Sequence, residues 1–201
     1  MIKKLKPVLL LLFSAIALTL YAFYPLGKTN DYGPIPAETM TNEAAFNTMM
    51  QVVAHPRCVN CHPSDGVPKR GMDAHPHPFG RDSASSKLGF NTLLCASCHT
   101  DTNDNYAGQP GAPHWGLAPP SMAWEGLSKT EIARVMLDTS KNGNRTHEEL
   151  LEHLTEDELV LWAFNPGLHP DGTAREKPPI REENYKKAVK IWFENGAVVP
   201  E

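Results

Sequence analysis

Two copies of one pentapeptide stand out in the chain: Cys58-Val59-Asn60-Cys61-His62 and Cys95-Ala96-Ser97-Cys98-His99. Their four thiols are all the cysteines present. In C-x-x-C-H the two thiols lie on one turn of backbone and reach the two vinyl groups of a single porphyrin. The following imidazole then sits under the iron as proximal ligand. The spacing therefore points to two haem c groups. Cys58 and Cys61 would bond one and Cys95 and Cys98 the other, with His62 and His99 on the two irons.

Other chemistries use similar spacings. Paired C-x-x-C knuckles can build a four-cysteine zinc site. Here 33 residues separate Cys61 from Cys95, against about 15–20 in such ribbons. Both knuckles are also followed by His, which a simple ribbon does not require. Disulfides are a second alternative, but C-x-x-C loops are short, strained and more often redox-active than structural.

Candidate distal iron ligands lie in the segments that follow each motif. In Gly71-Met72-Asp73-Ala74-His75-Pro76-His77-Pro78, proline biases each preceding histidine to extended backbone. The two imidazoles are thus carried on a stiff strut, pointing to opposite sides. Either His75 or His77 could ligate, with the other touching a propionate or the second haem. After the second motif, Met122 is presented from the Pro-rich string Ala118-Pro119-Pro120-Ser121-Met122, and His114 competes with it. Met122 could instead pack as a thioether against Trp124. His55, three residues before Cys58, reads as a helix-end residue and His153 as a surface or packing histidine, with iron ligation the alternative for each.

Helices must position these groups. Thr41 caps a helix to about His55, with Glu43 in its first turn and Ala45, Phe46, Met49, Val52 and Val53 on one face. It leads directly into the first motif. Pro63 to Leu94 has little periodicity, apart from a helical turn at Asn91–Leu94. Capping boxes at Ser128–Glu131, Thr146–Glu149 and Thr155–Glu158 each open a helix. Arg181 to Gly196 reads as a final amphipathic helix with Tyr185, Ala188, Val189, Trp192 and Phe193 on one face and Gly196 as its cap. The expected class is all-α with long irregular Pro/Gly-rich loops, the helices packed around two covalent haems as in cytochromes c.

The N-terminus reads separately. Lys3, Lys4 and Lys6 precede an apolar run from Val8 to Tyr24, near the lower length for a spanning helix. The small-x-small triplet Ala15-Ile16-Ala17 would leave an apolar mature end. We therefore expect an uncleaved signal-anchor over 1–26, a tether over 27–40 and a di-haem domain over 41–201. The positive-inside rule puts the lysines in the cytoplasm and the domain on the periplasmic face of a bacterial inner membrane. The alternative is a cleaved signal and a soluble periplasmic protein.

Composition supports cofactor-dependent folding. The 201 residues include 18 Pro and 14 Gly, and aromatics are 8%. Porphyrin faces would substitute for missing core, and the haem-free chain is expected to be largely unfolded. The net charge of −4 and the lack of a basic stripe argue against nucleic acid as a partner.

Several longer strings carry a resemblance: His55-Pro-Arg-Cys-Val-Asn-Cys-His-Pro63, Met72-Asp-Ala-His-Pro-His77, Gly111-Ala-Pro-His-Trp115, Met122-Ala-Trp-Glu-Gly126 and Trp162 to Gly167. From about residue 45 to 196 the chain resembles the di-haem cytochromes c described as isoquinoline 1-oxidoreductase subunits. That resemblance implies electron transfer beside a molybdenum hydroxylase, whose own cofactors this chain has no cysteines left to hold. The expectation is a single-electron carrier between a dehydrogenase or hydroxylase and a respiratory acceptor. The competing classes are a di-haem peroxidase or other haem oxidoreductase, with loop histidines as acid/base groups, and a tethered haem sensor.

Overall fold

The computed structural model describes residues 40–77 and 95–201. The expected anchor, nearly all of the tether, and the Asn91–Leu94 turn lie outside the described residues. Those described belong to one compact unit that begins at Pro34.

Helix α1 spans Asn42–Val53, and Thr41 Oγ1 accepts from Ala44 N at its start. Its apolar face buries Ala45, Phe46, Met49, Met50, Val52 and Val53. The single-turn helix α2, Pro56–Val59, follows at once. Its N-cap is His55, whose Nδ1 accepts from Arg57 N at 3.2 Å, with Pro56 at the first helical position. Proline tolerates that site because its missing donor would have had no partner there. This His-Pro corner turns the chain from α1 into the first C-x-x-C-H.

Helices α3 (Lys129–Leu137) and α4 (His147–Glu156) both carry complete capping boxes, on Ser128 with Glu131 and on Thr146 with Glu149. The third expected box does not form. Thr155 lies inside α4, and its Oγ1 donates to Leu151 O at 2.9 Å. Asp157 caps the short helix α5 (Glu158–Leu161) instead, accepting from Leu159 N. A threonine committed to the carbonyl four residues back is not free to cap. A 3₁₀ turn at Trp162–Phe164 follows.

The last helix, α6, runs Glu182–Glu194. It ends in a Schellman turn: Ala197 N donates to Trp192 O and Gly196 N to Phe193 O, with Gly196 at φ 83°. Its Tyr185, Ala188, Val189 and Trp192 are fully buried. They pack chiefly on α1, where Phe46 and Trp192 have ring centroids 6.0 Å apart. Met136 of α3 and Leu150 and Leu154 of α4 complete the same core. Burying one such side chain contributes about 1.5–3 kcal/mol, so this α1–α6 pair is the mechanical base for the first motif.

Among the described residues the sheet is one antiparallel ladder, β1 (Lys69–Arg70) with β2 (His75–Pro76), Arg70 opposite His75. Long stretches between the helices are irregular. No described helix is long and apolar enough to cross a membrane.

Candidate metal centres

The first motif borders the core. Cys58 packs against the hydrophobic cluster. Burial, then Cys61, pushes the Cys58 thiol up to about 12. Burial, then Cys95, pushes Cys61 up to about 11. As free groups both sulfurs would therefore be neutral thiols at ordinary pH. Cys95 is also close enough to Cys61 to be felt electrostatically, so the two motifs are neighbours.

His62 is held on two sides. Its Nδ1 meets the Met122 carbonyl at 2.6 Å. Its ring lies flat on Trp124, with centroids 3.4 Å apart and an interplanar angle of 5°. The carbonyl can only accept, so Nδ1 carries the proton and Nε2 keeps its lone pair. Burial pushes His62 down to about 4, the Met122 bond opposing and the His153 charge adding. The loop that supplies these partners is tied to the motif by Ala118 N to Cys61 O and Trp124 N to His62 O, both 2.9 Å. Glu125 adds a clamp, accepting from Ser64 N at 2.9 Å and Ser64 Oγ at 2.8 Å.

A cavity of about 240 Å³ opens beside the motif. Cys58, Cys61 and His62 line it from one side, and α4 contributes Leu150, His153 and Leu154. Trp115, Trp162 and Tyr185 line it too, as do the cations Arg57 and Arg145. Arg57, with its side chain only 5% exposed, pairs with Glu176 at 2.8 Å.

The second motif repeats the arrangement nearer the surface. Cys95–Ser97 is a 3₁₀ turn, and Cys98 is exposed. His99 Nδ1 meets the Pro110 carbonyl at 2.7 Å, and its ring stacks on Trp115 with centroids 4.6 Å apart at 10°. Gln109 Nε2 also lies 3.1 Å from that nitrogen, but the shorter contact to a carbonyl fixes the proton on Nδ1. Burial lowers the His99 pKa, with Pro110 opposing and Arg175 adding. Asn103 braces the loop: its Oδ1 accepts from Gly111 N at 3.0 Å and from Trp162 Nε1 at 2.9 Å. Trp115 therefore touches His99 on one side and lines the first cavity on the other, with Trp162 edge-on to it at 4.8 Å.

The remaining candidates separate clearly. His77 stands beside His99, ring centroids 6.1 Å apart and 65° inclined. His75 is turned to the surface hairpin, its Nδ1 2.6 Å from Asp73 Oδ1 and its Nε2 accepting from Arg70 Nε at 2.8 Å. His114 lines the first cavity but is exposed, on left-handed backbone at φ 58°. Met122 is buried, and its own carbonyl is the one bound to His62. Sequence reading missed Trp115 and Trp124 as ring partners, although both stand in strings it had singled out. It also missed the two carbonyls, which no side-chain pattern can signal.

Neither family models, curated proteins nor solved structures give a match to this chain.

Proposed function

We propose that the protein is an exported di-haem c-type cytochrome that passes single electrons between a redox enzyme and a respiratory acceptor. The observation that carries this reading is the parallel treatment of His62 and His99. Each follows a C-x-x-C pair, gives its Nδ1 proton to a backbone carbonyl, and rests flat on an indole. A metal-bound histidine ordinarily donates its other ring N–H in this way, which fixes the tautomer and aims Nε2 at the metal.

The alternatives fit less well. A thiol redox pair needs a lowered cysteine pKa, and burial raises those of Cys58 and Cys61. All four thiols are free. They do not converge as a four-cysteine zinc site requires: among the described residues no three His, Cys, Asp or Glu side chains are grouped to hold a metal ion.

Each bound haem would supply a one-electron iron couple. The chain's residues then have defined tasks. Cys58 and Cys61 would form thioethers to one porphyrin and Cys95 and Cys98 to the other. His62 and His99 would hold the irons through Nε2. Arg145 brings positive charge to the cavity, suited to a propionate, while the charge of Arg57 is already met by Glu176. His77 is the best-placed distal partner for His99. Its ring centroid lies 6.1 Å from that of His99, near enough for both imidazoles to serve one bound haem. Trp115 stacks on His99 and lines the first cavity, so an indole lies between the sites. The molybdenum hydroxylase partner and the periplasmic membrane face remain part of this proposal through the sequence resemblance and the apolar N-terminal run.

Potentiometric titration of the haem-loaded chain tests the reading. Two reversible one-electron waves are expected, with no rapid binding of carbon monoxide or cyanide and no peroxide turnover. Fast peroxide turnover would move the protein to the di-haem peroxidase class, and redox silence would contradict both.

A further inference from the structure

Resting on the di-haem reading, we propose that His153 is the distal iron ligand at the first site, with Asp157 as its positioning residue. Helix α4 carries Leu150, His153 and Leu154 on one face, and all three line the cavity that also holds Cys58, Cys61 and His62. The helix is firmly seated: its capping box closes the N-terminus, and Leu150 and Leu154 are buried in the core. An imidazole between two such anchors is delivered to the cavity without any loop having to close.

The hydrogen bonding of His153 matches that of the two motif histidines. Its Nδ1 lies 2.9 Å from Asp157 Oδ2. A carboxylate accepts only, so Nδ1 carries the proton and the lone pair resides on Nε2. Here the acceptor is an anion rather than a carbonyl, which makes the imidazole a stronger donor to a metal. Asp157 is fixed in turn, because its Oδ1 accepts from Leu159 N at the start of α5. The failed third capping box thus has a consequence. With the cap moved from Thr155 to Asp157, one carboxylate both starts α5 and orients His153.

The rivals are worse placed. The Met122 carbonyl is bound to Nδ1 of His62, the ring edge away from the metal. Met122 lines the same cavity, but its backbone is tied to the proximal histidine, whereas His153 reaches the cavity from a separate helix. His114 is exposed and held on left-handed backbone at the cavity wall.

The test uses the full-length haem-loaded chain and near-infrared magnetic circular dichroism with low-temperature EPR. His153→Ala should retain two haems per chain, lose one bis-imidazole signature and gain carbon monoxide binding at that haem. His153→Met should replace that signature with a His/Met one and raise the potential of that haem alone. Asp157→Asn keeps the helix cap but removes the anion, and should raise the same potential with both haems present. It decides the matter if His153→Ala fails to load. Unchanged spectra in His153→Ala, an unshifted potential in Asp157→Asn, or loss of the signature in His114→Ala or Met122→Leu would overturn the proposal. A wild-type chain without haem would instead defeat the reading on which it rests.

Discussion

At the scale of single residues, the chemistry lies in side chains and its precision in backbone. Cys58, Cys61, His62 and their second copies stand out as candidates at once, because the covalent attachment we propose demands fixed spacing. The carbonyls of Met122 and Pro110 were not, because any residue type offers one. Gly111 shows how such a carbonyl is held. A Cβ there would land on the carbonyl oxygens of Thr100 and Thr102, and its neighbour Pro110 supplies the bond to His99. Gly111→Ala should therefore disturb the spectrum of the second haem and leave the first unchanged; equal effects on both would contradict this. The imidazoles also set a pH dependence. Burial pushes His62 down to about 4 and lowers His99 and His153 as well. Unfolded imidazoles titrate near 6.5, at about 1.4 kcal/mol per pKa unit. Below that pH the unfolded chain binds more protons than the folded one, so stability falls as pH drops toward 4 and is level above about 7. Thermal midpoints at pH 7.5 and pH 5 check the sign, the lower value being expected at pH 5.

At the scale of elements, α1, α3, α4 and α6 were readable from apolar spacing and from caps with a mechanism. The error at Thr155 is instructive. The tetrad Thr-Glu-Asp-Glu satisfies the capping-box pattern, yet a hydroxyl inside a helix can bond backwards as readily as it can cap. The two sites can be told apart by stability. Thr146→Ala removes a real cap and should cost about 1 kcal/mol. Thr155→Val keeps the shape and removes only a bond to a carbonyl already served by the helix, so it should cost clearly less. Denaturant midpoints of the two variants, with unchanged slopes, give the comparison. A larger loss at Thr155 would mean that the helices divide where the sequence pattern first suggested. The small ladder between Lys69–Arg70 and His75–Pro76 left no alternation to read, since two residues per strand cannot show a period. It nevertheless determines that His75 goes to Asp73 and Arg70 while His77 reaches His99.

For the whole molecule, the two sites differ in how far they are built into the core. The first motif packs Cys58 against the core built by α1 and α6 and its two cysteines are half-buried, whereas Cys98 of the second is exposed. Sequence composition predicted a chain short of core and reliant on its cofactors, without distinguishing the two. The structure makes the distinction. Cys58→Ser with Cys61→Ser should lose one haem and much of the cooperative unfolding transition. Cys95→Ser with Cys98→Ser should lose one haem and keep the transition. Limited proteolysis and far-UV circular dichroism separate these outcomes, and equal damage from both pairs would argue against an unequal division. The central claim of two covalently held haems is tested most directly by intact mass spectrometry of the chain recovered from a host that exports and matures c-type cytochromes. The account predicts the polypeptide mass plus two haem increments that survive denaturation. A mass with no haem increment, or with zinc in its place, would contradict it.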